Sequence, residues 1–335
     1  MRNFSIISVF LVGLLASVLQ RSNKEDLPAE QNLSSFPQTQ FLPTLEDKID
    51  PNKNAIYAAT KSLAWDELKM FFGDSIFVNP KDTDLALLNS SVLHRNALSK
   101  TDYNSIVAVD SGTIRITTSM FEQFQFETTF EKFSRKLNFN GKFVECFGEE
   151  PTHESDIRLD IGVIYFDDDN FLLIPRLKGN RTLFLLKTEK RFERPVDMLD
   201  ELKKYFAQSR VFRDNMSTYW RTVYLGEDQI IIPKIRFNIE TNYPQFENKS
   251  FVVNHANYII AQSYQRIAFN MDEKGVTFES VVKLEIFGTN DVEEEKTVPK
   301  KLIFDKPFYI ILRKNNATVP YFIAYIQNPE LMILE

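Results

Sequence analysis

Residues able to do chemistry are few in this chain, and they do not converge in sequence. His94, His153 and His255 are its three histidines, each in a polar or turn setting. None has a second ligand at the spacing that puts two imidazoles on one helix face. No Gly-x-Ser-x-Gly turn lifts a serine nucleophile above a sheet. The ten glycines lie apart, so no run of backbone N–H groups cradles a phosphate. Asp167-Asp168-Asp169-Asn170 supplies oxygen ligands in a row, yet it lacks the glycine and downstream glutamate of a calcium loop and reads as a hairpin turn. Cys146, the single cysteine, sits between Phe143 and Phe147 and reads as a buried thiol. These residues point to no enzyme, no metal and no cofactor.

Composition sets the class. The 335 residues are 43% apolar and 13% aromatic, with 30 Phe, which is ample material for a large core. A net charge of −6 argues against a broad phosphate-binding surface, so no nucleic-acid partner is expected. Residues 1–20 have the charged start and short apolar run of a secretory signal, and no later stretch reaches membrane-spanning length. The expected product is secreted and extracellular, with no membrane span. One cysteine allows no intrachain disulfide, which leaves core burial to provide stability. Export gives meaning to the sequons at Asn32, Asn89, Asn180, Asn215, Asn248 and Asn316, of which at least two are expected to carry glycans.

The elements that must position any site follow from patterning. Residues 21–53 are polar, proline-containing and aperiodic, and read as a flexible leader before a single domain at 54–335. Helical spacing predicts a helix over 54–72 and another over 83–92, with a short strand at 75–80 between them. Ile106-Val107-Ala108-Val109 reads as a central strand. Phe121, Phe124, Phe126 and Phe130 read as core packing. Residues 136–147 and 158–166 read as strands, and 171–175 with 183–186 as a hairpin. Pro195 opens a helix that turns Met198, Leu199, Leu202, Tyr205 and Phe206 inward. Residues 229–240 and 276–286 alternate as half-buried strands. The first of these sets Ile230, Ile232, Ile235, Phe237 and Ile239 against Lys234, Arg236 and Asn238. Residues 308–312 and 319–326 want burial on both faces and form a buried hairpin around the turn at 314–318.

The run Leu302-Ile303-Phe304-Asp305-Lys306-Pro307-Phe308-Tyr309-Ile310-Ile311-Leu312, followed by Asn328-Pro329, resembles the C-terminal signature of the serpin family. Arg266-Ile267-Ala268-Phe269 with Glu273-Lys274-Gly275 resembles the strand and hinge that launch that family's reactive-centre loop. Pro233-Lys234 is similar to its Leu-Pro-Lys-Phe strand, and residues 171–186 to its Leu-Pro-Tyr-Lys-Gly region. The first helix, a Phe-x-Ser-Pro turn placed at Phe77–Pro80 and a buried helix follow one another in the family's order, with Asn79 where serine is usual. The resemblance implies an α+β, serpin-like fold of mixed, mostly antiparallel sheets packed with helices. Between Val92 and Ile106 the chain lacks several helices and two strands that the family inserts, so the N-terminal half is reduced.

For serpins the family implies a suicide trap, in which a protease cuts the exposed loop and the loop inserts as a new strand. The expected hinge is Glu273, Lys274, Gly275, Val276 and Phe278. Bulky Phe278, charged Glu279 and branched Val281-Val282 depart from an inhibitor's small residues. Spacing forward from Gly275 places the scissile bond at Thr289-Asn290, whereas spacing back from Pro299 places it at Lys296-Thr297, so the loop is too long. The expectation is a non-inhibitory, serpin-like protein binding an unidentified extracellular ligand. The alternative is an inhibitor whose partner is a trypsin-like serine protease.

Overall fold

Phe308–Lys314 runs through the interior with Phe308 to Leu312 all buried, so it needs a strand on each side and a packed layer on each face. In the computed structural model, which describes residues 27–73, 75–110, 113–152, 157–277 and 298–334, it has both. Arg181–Lys187 pairs along its whole length, from Arg181↔Lys314 to Lys187↔Phe308. Phe322–Ile326 closes the hairpin on the other side, as the patterning predicts. Beyond these, the sheet continues through Asn170–Pro175, Ile157–Asp167 and Val223–Leu225 on one flank, and Asn54–Ala58 and Thr39–Leu42 on the other. The helix Pro195–Arg213 starts with proline at its first turn and lays Met198, Leu202 and Tyr205 on this sheet. Edge-to-face contacts of Phe184 with Phe206, and of Phe166 with Tyr205 and Phe212, fix its position.

A second sheet has the order Gln31–Asn32, Ile235–Asn242, Tyr264–Asp272, Gly275–Thr277, Phe124–Gln125. A third sets Lys301–Ile303 beside Gln229–Pro233, then Lys142–Glu149 and Glu131–Phe139. Ala256–Ile259, Ser250–Val253 and Phe77–Val78 make a small outer sheet against the helix Thr60–Phe72. The helix Thr83–Ser90 lies where helical spacing puts it.

Several expectations are corrected. Residues 54–58 are not the start of a helix. Asn54–Ala58 is a strand buried at every position, and the helix begins only at Thr60. Ala55 and Ala58 fit a helical spacing, but Ile56 and Tyr57 between them need cover as well, and only a central strand covers both faces. The short strand expected at residues 75–80 is present as Phe77–Val78, though at the periphery, with Phe77 66% exposed. The expected leader is also partly built in. Thr39–Leu42 pairs in parallel with Asn54–Ala58, and Phe41, Leu42, Leu45 and Ile49 are buried, four apolar side chains spread too thinly to show a period.

Residues 136–147 are two strands, because Asn140 and Gly141 both take positive φ (47° and 84°) and turn the chain between Phe139 and Lys142. The run 229–240 is also two strands, in different sheets, divided at Lys234. The inward residues change parity there, from 230 and 232 to 235, 237 and 239, which one uninterrupted strand cannot do. Finally, Asn104–Asp110 is not central to a sheet. Among the described residues it pairs only with Thr113–Ser119, as a ribbon lying on the helix Thr60–Phe72, with Val109 59% exposed.

The C-terminus is tied to the first buried strand through Asn54, whose amide donates to Asn328 Oδ1 (2.9 Å) and accepts from the backbone N–H of Gln327 and Asn328. Ile310, fully buried between two paired strands, tests the layered core. Ile310→Ala is expected to destabilise the protein by about 2–5 kcal/mol, read as a lower urea midpoint at unchanged slope.

Candidate functional site

The hinge strand Gly275–Thr277 is short, but it is hydrogen-bonded on both sides. It pairs antiparallel with Tyr264–Asp272 (Met271↔Val276) and with Phe124–Gln125 (Val276↔Phe124). Gly275 makes this possible. A Cβ at that position would lie 2.0 Å from the Phe124 carbonyl oxygen, so any side chain would force the strands apart. Asp272 Oδ1 accepts the Lys274 N–H (2.9 Å) and tightens the turn. The Lys274 and Glu273 carbonyls accept the N–H groups of Phe126 (3.0 Å) and Phe130 (2.9 Å). Phe126 and Phe130 meet edge to face and pack on Phe147, so the predicted aromatic cluster is core that wraps the hinge. Phe121 stands outside it, exposed.

Glu273 closes on Lys234 with Nζ to Oε2 at 2.6 Å, and Glu145 lies 4.0 Å from the same ammonium. Lys234 is 6% exposed, at the point where the chain passes from one sheet to the next. Burial pushes the Glu273 carboxyl up, but the Lys234 ammonium and the hydrogen bond from its own backbone outweigh that and hold it below the ordinary glutamate value. The other end of the segment is held in the same way. Lys300 is buried against Asp228 at 2.7 Å, and Asp228 also accepts the backbone N–H of Lys300 (2.7 Å) and Leu225 (2.8 Å). Burial pushes the Lys300 ammonium down, and Asp228 restores part of the shift. Lys301–Ile303 then runs parallel to Gln229–Pro233. Sequence reasoning missed these partners; the available signal was a charged residue, Lys234, inside an otherwise apolar run.

Of the hinge residues, Glu273, Lys274, Gly275 and Val276 come together here. Phe278, Thr289, Asn290, Lys296, Thr297 and His153 lie outside the described residues, as does the expected signal, residues 1–20. The remaining chemical candidates sit apart. His94 is buried with Nε2 3.0 Å from Asp66 Oδ2, and His255 occupies a hairpin turn with φ 65°. Asp169 is occupied by Lys187 (3.0 Å) and Lys306 (2.6 Å) in the expected hairpin turn. Cys146 is buried with its thiol toward the Arg135 carbonyl (3.4 Å). Among the described residues no helix is long and apolar enough to cross a membrane.

No protein-family model matches the chain, and no curated protein matches it in sequence. Solved structures do resemble it in fold. Serpin48, a highly specific serpin of the insect Tenebrio molitor, is 13% identical over 64% of this chain and 54% of its own, with a TM-score of 0.33. Human thyroxine-binding globulin with its bound ligand is 12% identical over 74% and 62%, at 0.35. A serpin from the trematode Schistosoma haematobium is 11% identical over 66% and 58%, also at 0.35. The chain thus spans about 54–62% of the length of these structures. The fold is α+β, with mixed sheets packed against helices; at TM-scores of 0.33 to 0.35 the likeness to these structures carries nothing further.

Glu273→Gln keeps the shape of the hinge and removes its charge, leaving Lys234 buried beside a distant Glu145. The expected loss is about 2–4 kcal/mol at pH 7, read by urea melts. Because the folded carboxyl titrates below 4.5, its contribution is full above that pH and is lost as the pH falls through the folded value. The gap between wild type and variant should therefore close on acidification.

Proposed function

We propose that this chain is a secreted, serpin-fold protein, a single domain of residues 54–335 that also takes in the strands Gln31–Asn32 and Thr39–Leu42, that binds an extracellular ligand or partner and does not trap proteases. The observation that carries this reading is the state of the hinge: Gly275–Thr277 is already a strand between two others, closed by Lys234–Glu273. A trap stores the free energy of strand pairing and apolar burial that its loop has yet to gain. Here part of that pairing is already made, with Val276 buried. Bulky Phe278 and branched Val281-Val282 further slow insertion, and the conflict between Thr289-Asn290 and Lys296-Thr297 leaves the loop too long for timed insertion. No catalytic role is proposed.

One observation favours the alternative, a serine-protease inhibitor. Among the described residues, 264–269 have a strand partner only on the Ile235–Asn242 side, which leaves room for a cut loop to add rungs. Incubation with trypsin- and chymotrypsin-like proteases separates the two readings. The expected result is cleavage without a detergent-resistant adduct, and little change in melting temperature after the cut. A covalent adduct, or a large rise in melting temperature, would overturn the non-inhibitory reading.

Secretion makes the sequons testable. The Asn89 amide donates to the Ile76 carbonyl (3.1 Å) and accepts from Trp65 Nε1 (3.0 Å), whereas Asn316 is exposed in the turn of the closing hairpin. Glycopeptide mass spectrometry of protein secreted from eukaryotic cells should find a glycan on Asn316 and none on Asn89.

A further inference from the structure

Three buried lysines meet carboxylates. Lys187 contacts Asp169 (3.0 Å) and Asp305 (2.8 Å), Lys234 contacts Glu273 (2.6 Å), and Lys300 contacts Asp228 (2.7 Å). Lys61 has no carboxylate in contact among the described residues. It stands in the first turn of the helix Thr60–Phe72, half-buried. Its Nζ hydrogen-bonds the Ser263 hydroxyl and lies 4.7 Å from the Tyr243 ring centre and 5.5 Å from that of Phe246.

The walls of this box are fixed. Tyr243, Phe246 and Ser263 are all buried. The Tyr243 hydroxyl is taken by Gln265, and Gln265 Nε2 donates to Thr60 Oγ1 (3.0 Å). The charged groups that face the box are Glu247, whose carboxylate accepts the Ser263 N–H (3.3 Å), and Asp47 beyond Tyr243.

We propose that Lys61 is a covalent modification site for small aldehydes, its amine held ready by an aromatic and hydroxyl box with no carboxylate in ion-pair contact. The free amine adds to the carbonyl carbon, and loss of one water leaves the imine; no oxidant or reductant is consumed. A desolvated lysine is nucleophilic at neutral pH because the charged form loses its hydration without gaining an ion pair. The two rings favour the cation, but they replace only part of what water supplied. On balance burial lowers the Lys61 amine to about 8, with Glu247 opposing the shift. Its neutral fraction at pH 7.4 is then on the order of a hundred times that of an ordinary lysine. Lower basicity and partial cover take back some of this gain, and half-burial restricts the site to small reagents.

The experiment uses the native full chain with limiting propionaldehyde and cyanoborohydride, followed by peptide mass spectrometry. The reference is Lys203, whose side chain is 76% exposed. Lys61 is expected to label about tenfold faster than Lys203 at pH 7.4, with a rate that reaches half its plateau near pH 8. Lys61→Arg should remove the mass shift from that peptide and leave the others unchanged. Labelling no faster than at Lys203, or labelling only after denaturation, would overturn the proposal.

Discussion

Two opposite charges frame one strand, and each is paired with a charge from another part of the chain, Glu273 or Lys300. Asp228 precedes Gln229–Pro233 and Lys234 follows it. Asp228 holds Lys300 just before Lys301–Ile303, and Lys234 holds Glu273 just before Gly275–Thr277. Each pair is largely withdrawn from water, so each partner left alone would be a buried charge at a cost of several kcal/mol. The two ends therefore cannot drift independently, and the sheets that contain them are coupled through five residues of backbone.

This arrangement depends on a missing side chain. At Gly275 the backbone approaches the Phe124 carbonyl more closely than any Cβ allows. That approach lets the hinge strand bond to two neighbours at once, which in turn brings Phe126 and Phe130 over the turn and seals the base of the hinge. Packing, hydrogen bonding and charge pairing agree at this point, and the agreement makes Glu273–Thr277 a built-in part of the sheet.

The interior lysines show how the fold handles charge elsewhere. Lys187 sits under the Asp167–Asn170 turn and is satisfied by Asp169, Asp305 and two carbonyls, which converts an acidic turn into a closed ionic cluster. Lys61 is the contrast, an amine with aromatic neighbours and a hydroxyl in place of an acid.

By itself the sequence determined the elements whose burial is dictated by their own composition. The closing hairpin is apolar on both faces, and the helix after Pro195 has an apolar stripe; local pattern is enough for both. The parity change at residues 233–235 and the Asn140-Gly141 pair are signals the sequence carries, yet alternation alone reads each run as a single strand, and the structure divides both. Tertiary structure decided the rest. Asn54–Ala58 is a strand because two neighbours were waiting to pair with it, and Thr39–Leu42 joins the sheet for the same reason. Lys234 finds Glu273, and Asp228 finds Lys300, across 39 and 72 residues of chain. Periodicity reports which faces a segment must hide, but the partner that hides them, and the charge that meets a buried charge, come from segments far away in sequence and are fixed only when the chain is folded.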